Sequence, residues 1–144
     1  MFFILSMLGS AVKLYAPTGS QDISRLIHFV EQRKEAQRIN AEYEKIWNAV
    51  IHVESRGNPM AYNPDEGATG IAQIRQIRVD DYNRRTGSNY LLEQMYDPDI
   101  SKEIFMYYAR LIGYENPEWI ARRWNGSGRM TVIYWNKVKE LFYT

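Results

Sequence analysis

Residues 47–59 read WNAVIHVESRGNP, and this stretch decides the fold by fixing the position of one carboxylate. Apolar side chains stand seven, four and three residues before Glu54, at Trp47, Val50 and Ile51. This is the spacing of residues that share the buried face of an α-helix. A glycine follows Glu54 by three residues and an Asn-Pro pair comes directly after it, which together end a helix. The sequence therefore predicts that Glu54 lies in the last turn of a helix, on its inward face.

This position favours the protonated form of Glu54. Burial removes water from the charged carboxylate, and the carboxyl end of a helix carries a partial negative charge, so both raise the pKa. A carboxylic acid that stays protonated near neutral pH can act as a general acid. The alternative is a structural carboxylate that turns to solvent or pairs with Arg56.

Length and composition restrict the classes of function. A chain of 144 residues is long enough for one domain with a single core. It has no cysteine, which excludes disulfide scaffolds, zinc-thiolate sites and thiol nucleophiles. The net charge of +1 provides no strong field for nucleic acid or an anionic membrane. We interpret two local arginine groups as solvated helix faces: Arg75, Arg78, Arg84 and Arg85, and Arg122, Arg123 and Arg129.

The N-terminal region allows two interpretations. Residues 2–8 form a short apolar run with small residues behind it, as in a signal peptide, but no basic residue precedes the run. The alternative is an N-terminal arm that packs on the domain or stays loose. We therefore divide the chain into residues 1–19, an arm or export signal, and residues 20–144, one globular domain.

The remaining chain predicts a mainly α fold of several short helices. One or two helices cover residues 20–54, followed by an irregular segment, 57–70, that is rich in turn residues and has room for a small β-hairpin. Residues 71–83 can be helical, and Asp-Pro and Asn-Pro pairs at 97–98 and 116–117 start two further helices. A last helix opens at residue 131, with a predicted inner face of Val132, Trp135, Val138 and Leu141.

Three segments carry a resemblance to a known family. They read ESRGNP at 54–59, GATGIAQI at 67–74 and RWNG at 123–126. In this order they resemble the soluble lytic transglycosylase domain, a relative of goose-type lysozyme, over about residues 45–140. The resemblance implies a lysozyme-like α fold that cleaves the β-1,4 bond between MurNAc and GlcNAc in peptidoglycan.

Carried over by position, the resemblance implies the site residues. Glu54 matches the single catalytic acid and base, and substrate-binding roles fall to Ser55, Asn63, Gln73 and Asn125. Two positions depart from the family pattern. Ala72 replaces the usual Met and is expected to widen or flatten the groove there. Trp124 replaces the usual Tyr, so its expected contact with substrate lacks a phenolic hydroxyl. Tyr107 or Tyr108 could supply this hydroxyl instead; the alternative is that they pack in the core.

The chemistry implied is a one-carboxylate cleavage that yields 1,6-anhydroMurNAc ends, because no second carboxylate occupies a motif position. It needs no metal and no cofactor. One alternative is a hydrolytic muramidase in which Asp80 or Asp81 positions a water molecule, and another is a module that binds glycan without cleaving it. We expect a monomer that acts on peptidoglycan glycan strands, with no nucleic-acid partner, in the periplasm or outside the cell.

Overall fold

The computed structural model describes residues 19–144. That part of the chain contains five α-helices, a two-stranded sheet and one 3-10 helix. The α-helices are α1 (Ser20–Ser55), α2 (Gln76–Thr86), α3 (Pro98–Ile112), α4 (Pro117–Asn125) and α5 (Met130–Phe142). The strands are β1 (Tyr62–Asn63) and β2 (Ala68–Thr69), and the 3-10 helix is Leu92–Tyr96. The predicted mainly α, lysozyme-like fold with a small hairpin after the first helix is confirmed.

Helix α1 is a single helix where the sequence allowed one or two. It ends at Ser55 because the next two residues take left-handed backbone conformations, with φ of 55° at Arg56 and 78° at Gly57. The chain divides into two units between Ala36 and Gln37. Residues 19–36 form the described part of the first unit and are solvent-exposed. The predicted boundary at residue 20 stays a prediction, since the proposed arm or export signal falls largely outside the described residues.

The core lies in the second unit, residues 37–144. Its centre joins the second half of α1 to α3 and α4 through aromatic rings: Trp47 contacts Phe105 with a centroid distance of 5.2 Å, and Phe105 contacts Trp124 at 5.0 Å. Helix α4 packs against both α3 and α5. Trp47 and Val50 are buried and Ile51 is partly buried, in agreement with the periodicity before Glu54. This packing fixes the carboxyl-terminal end of α1 within the fold.

The hairpin after α1 packs against the 3-10 helix, and a glycine allows the close contact. β1 and β2 pair antiparallel, with Tyr62 opposite Thr69. Gly70 follows with φ of 79°, and a Cβ atom there would collide with the backbone carbonyl of Met95. Only glycine fits this position, because it combines a left-handed backbone with close approach of another chain segment.

The prediction of a helix over residues 71–83 is wrong for residues 71–75. The chain instead makes a tight turn after Gly70, in which Thr69 and Ile74 exchange two backbone hydrogen bonds of 2.9 Å. Gln73 takes a left-handed conformation, with φ of 50°. Helix α2 therefore begins only at Gln76.

The last helix forms as predicted, but with a different inner face. Val132 and Leu141, expected to point inward, are 42% and 38% exposed. The buried side chains of α5 are Thr131, Tyr134, Trp135, Val138 and Phe142. The helix is rotated so that Tyr134 points inward, and this residue becomes central to the site.

Within residues 19–144, no helix is both long and apolar enough to cross a membrane.

Candidate active site

A cavity of about 800 Å³, here called the candidate groove, opens where the end of α1 meets the hairpin, α2, α4 and α5. It lies entirely in the second unit, residues 37–144. Five of the residues that the sequence assigned to the site line it: Glu54, Asn63, Gln73, Trp124 and Asn125. Residues separated by up to 71 positions in the chain are thus brought to one wall by the packing of four helices and a hairpin.

Glu54 lies in the last turn of α1 and is partly buried. Burial raises its pKa to about 7, and the negative charge of Glu66 acts in the same direction. A hydrogen bond from Tyr134 and the positive charge of Arg75 act against this rise. Because desolvation dominates, a substantial fraction of Glu54 is protonated at neutral pH and can donate its proton.

Tyr134 orients the Glu54 carboxyl group. Its hydroxyl donates a 2.7 Å hydrogen bond to Glu54 Oε1. Burial and the nearby Glu54 raise the pKa of Tyr134, so the phenol stays protonated and keeps this donor role. Glu54 Oε2 accepts no hydrogen bond from the described residues. The carboxyl is therefore held by one oxygen, while the other remains available to a ligand in the candidate groove.

Ser55 and Gln73 hold the backbone around Glu54. Ser55 Oγ donates to the carbonyl of Ile71 at 2.7 Å and is not part of the groove lining. It also donates to the Ile51 carbonyl at 3.2 Å, so both contacts are structural, and the first ties the end of α1 to the turn after β2. Gln73 lines the groove, and its Nε2 donates to the carbonyls of Ala61 and Gly70 at 3.3 and 3.0 Å. The side-chain amide oxygen of Gln73 is the group that it can offer to a sugar hydroxyl.

Trp124 and Asn125 form the groove wall at the end of α4. The indole Nε1 of Trp124 donates to the carbonyl of Ala72 at 3.2 Å. Ala72 is fully buried and does not line the groove, so its expected effect on the width of the groove stays a prediction. Arg78 braces the same wall: its guanidinium lies 4.9 Å from the Trp124 ring centroid and donates to the Trp124 carbonyl at 3.1 Å. Trp124 is thus fixed from two sides.

The structure does not bring Tyr107 or Tyr108 to the candidate groove. Tyr107 packs edge-on against Tyr82 and Tyr108, with centroid distances of 5.2 and 5.1 Å. Tyr108 donates a 2.7 Å hydrogen bond to Asp81. The hydroxyl sought on α3 comes instead from Tyr134 on α5, which sequence reasoning missed. Tyr134 and Val138 stand four residues apart, as residues on one face of a helix do. This spacing marks a second possible inner face of α5 and is the signal that could have found Tyr134.

Three further carboxylates line the candidate groove: Glu66, Asp80 and Asp81. Asp81 is bound by Arg84, Arg85 and Tyr108, and the hydrogen bonds from Tyr108 and Arg85 lower its pKa. Asp80 accepts a 2.8 Å hydrogen bond from Gln76 Nε2. Glu66 lies 3.6 Å from Arg75 in an exposed ion pair.

The sequence analysis gave Glu66 no role. Its place in the lining follows from the hairpin, which folds the turn back toward the end of α1. Lys137, one helical turn after Tyr134, is the other lining residue that sequence reasoning missed. No group of acidic residues or histidines in residues 19–144 is arranged to hold a metal ion.

A comparison with protein families identifies the family of this chain. The family described as the transglycosylase SLT domain matches residues 31–116, more than half of the chain. The chain therefore belongs to the transglycosylase SLT domain family, whose substrate is peptidoglycan. The match includes Glu54, Asn63 and Gln73, while Asn125 and Tyr134 lie beyond its end. Searches of curated proteins and of solved structures found no match.

Proposed function

We propose that this protein cleaves the β-1,4 bond between MurNAc and GlcNAc in peptidoglycan, with Glu54 as its general acid and base. One observation carries the proposal: a carboxyl group with a pKa of about 7 is held by Tyr134 on the wall of an 800 Å³ groove. A group with this pKa can give and retake a proton in one catalytic cycle at neutral pH.

In the proposed reaction, Glu54 first donates its proton to the bridging oxygen as the bond from that oxygen to MurNAc C1 breaks. The 2-acetamido oxygen of the same sugar stabilises C1. Glu54, now ionised, removes the proton from the C6 hydroxyl, and O6 bonds to C1. The proton is back on Glu54, no water is consumed, and the product carries a 1,6-anhydro ring. The C6 hydroxyl is part of the substrate, so its proximity to C1 replaces an activated water.

The other groove residues fit binding roles for an uncharged sugar chain. Asn63, Gln73 and Asn125 offer side-chain amides, which can pair with sugar hydroxyls and acetamido groups. We assign them to substrate binding together with Trp124, whose buried ring shapes the wall. Ser55 and Tyr107 do not line the groove, so we assign neither to direct substrate contact.

A second candidate is hydrolysis by the same groove, which would make the protein a muramidase. The observation in its favour is that Glu66, Asp80 and Asp81 line the groove together with Glu54. A base that activates water is what a two-carboxylate hydrolysis needs. Asp81 is the weakest candidate base, because Tyr108, Arg84 and Arg85 occupy its oxygens. Among the described residues, Asp80 and Glu66 each have one polar partner.

We further propose that the substrate is the glycan strand of the cell wall and that the protein acts in the periplasm or outside the cell. Action as a monomer stays a prediction. A non-catalytic binding module would not require a carboxyl group with a pKa near 7, so the state of Glu54 favours an enzyme.

Digestion of purified sacculi by the wild type and by Glu54→Gln tests the proposal. Glutamine keeps the shape and still accepts the hydrogen bond from Tyr134, but it has no proton to transfer. We expect release of soluble muropeptides to fall at least ~10²-fold, the usual contribution of general acid catalysis. The matched control is Glu140→Gln, the same change at an exposed position of α5. Release by Glu54→Gln at the wild-type rate would overturn the assignment.

A further inference from the structure

A further cavity, here called the arginine hollow, opens between the end of α4 and the start of α5. It has a volume of about 950 Å³ and is lined by Trp119, Arg122 and Arg123 of α4, by the turn at residues 126–129 and by residues 130–133 of α5. No described residue lines both this hollow and the candidate groove. The function proposed above therefore does not use the arginine hollow.

The arginine hollow is positively charged. Arg122, Arg123 and Arg129 line it, and none of its described lining residues is acidic. The charge of Arg122 is compensated by Glu118, which lies 3.0 Å away in an ion pair. Arg123 and Arg129 are exposed and form no ion pair with the described residues. Two uncompensated guanidinium groups therefore attract an anionic partner locally, although the net charge of the whole chain is only +1.

Exposed apolar side chains surround these charges. Met130 is 67% exposed, Ile133 50% and Trp119 49%, and Val132 stands beside them in the same lining. Single exposed apolar residues are ordinary, but several that meet at one cavity form a patch of the kind that binds a partner. The sequence analysis interpreted the arginines of this region as a solvated helix face, whereas the structure groups them with this apolar patch.

The composition of the arginine hollow favours a lipid surface over a glycan or a peptide. Side-chain amides, which pair with sugar hydroxyls and with a peptide backbone, are missing from its described lining residues. Its hydroxyl groups are those of Ser127 and Thr131, and Thr131 Oγ1 already donates to the Gly128 carbonyl at 2.7 Å and accepts from Arg122 Nε at 3.2 Å.

Tryptophan, aliphatic side chains and arginine are the groups that proteins present to the surface of a bilayer. The amphipathic indole ring lies at the level of the lipid headgroups, and aliphatic side chains are buried at the boundary with the acyl chains. Guanidinium groups bind the lipid phosphates and are attracted by the negative surface potential of anionic lipids. The arginine hollow combines all three kinds of group in one place.

We propose that the arginine hollow docks this protein on a membrane surface that contains anionic phospholipid. Arg123 and Arg129 bind the lipid phosphates, while Trp119, Met130 and Ile133 insert at the level of the headgroups. The inference goes beyond the proposed function, because it concerns the surface on which the enzyme sits and not the bond that it cleaves.

Co-sedimentation with lipid vesicles tests the proposal. The wild type should bind vesicles of phosphatidylcholine mixed with phosphatidylglycerol much more tightly than vesicles of phosphatidylcholine alone, and added salt should weaken this binding by screening. One basic side chain near an anionic bilayer changes binding roughly fivefold. The double variant Arg123→Gln with Arg129→Gln should therefore bind the mixed vesicles about 25-fold more weakly.

Two further variants separate charge from insertion. Ile133→Ser removes an exposed apolar side chain and should also weaken binding to the mixed vesicles, while the dependence on salt is kept. The matched control is Arg110→Gln, the same change at an exposed arginine of α3 that lines neither the candidate groove nor the arginine hollow. It should bind the vesicles as the wild type does.

The outcomes that would overturn the proposal are distinct. A wild type that does not bind the mixed vesicles but binds soluble polyphosphate would make the hollow a site for a soluble polyanion, and binding of neither would leave it to another partner. Wild-type binding by the double variant would place the membrane contact elsewhere on the chain. Wild-type binding by Ile133→Ser would exclude insertion. The vesicles contain no peptidoglycan, so these results do not depend on whether the protein cleaves glycan strands.

Discussion

Replacing Glu54 by glutamine is expected to stabilise the protein at neutral and alkaline pH while it abolishes catalysis. The native state holds Glu54 protonated up to a pKa of about 7, whereas an ordinary glutamate titrates near 4.5. Between these two values the native protein binds one proton more than the unfolded chain. The free energy of unfolding therefore falls as pH rises through this window. Above pH 7 the destabilisation of the native state by the ionised, buried Glu54 is fully present.

The magnitude follows from the size of the pKa shift. About 2.5 pKa units correspond to about 3 kcal/mol, because one unit is worth about 1.4 kcal/mol. Glutamine does not titrate and resembles the protonated acid. Glu54→Gln should thus be more stable than the wild type by about 3 kcal/mol at pH 8 and about equally stable at pH 4. For a domain of this size that difference raises Tm by roughly 10 °C.

Thermal unfolding followed by circular dichroism between pH 4 and pH 8 measures this difference. Glu140→Gln on the exposed face of α5 provides the control and should follow the wild type at every pH. A Tm difference between Glu54→Gln and wild type that does not change with pH would refute the reasoning, since it would mean that Glu54 titrates alike in the native and unfolded states.

Three further perturbations test the groove. Tyr134→Phe removes the hydrogen bond that lowers the pKa of Glu54, so the alkaline limb of the activity–pH profile should move above pH 7 while kcat falls. Glu66→Gln removes a charge that raises the same pKa, so this limb should move to lower pH; an unchanged limb would show that Glu66 does not act on Glu54. Asn125→Ala should raise KM by roughly tenfold, the loss of about one hydrogen bond, with little change in Tm. If Tm drops and KM does not, Asn125 is structural.

The sequence was most informative where chemistry and periodicity coincided. Glu54 could be placed at the end of a helix because the apolar spacing before it and the glycine after it are local signals. The groove residues Asn63, Gln73 and Asn125 came from a family resemblance, and the structure brings them to one cavity with Glu54. The chemical roles assigned to these residues stay predictions.

The contacts that sequence reasoning missed depend on tertiary packing. Tyr134 reaches Glu54 across 80 residues, and the orientation of α5 decides which of its two apolar faces points inward. The turn at residues 70–74 takes the place of the start of the predicted helix, and Gly70 in it lies against the Met95 carbonyl, a neighbour distant in sequence that no local pattern reveals.

The mass spectrum of muropeptides released from purified sacculi tests the central claim most directly. If Glu54 serves as the acid and then as the base toward the C6 hydroxyl, the wild type releases fragments that end in 1,6-anhydroMurNAc and that borohydride does not reduce. Fragments heavier by one water, with reducing ends that accept borohydride, would contradict the intramolecular step and show that the groove hydrolyses its substrate.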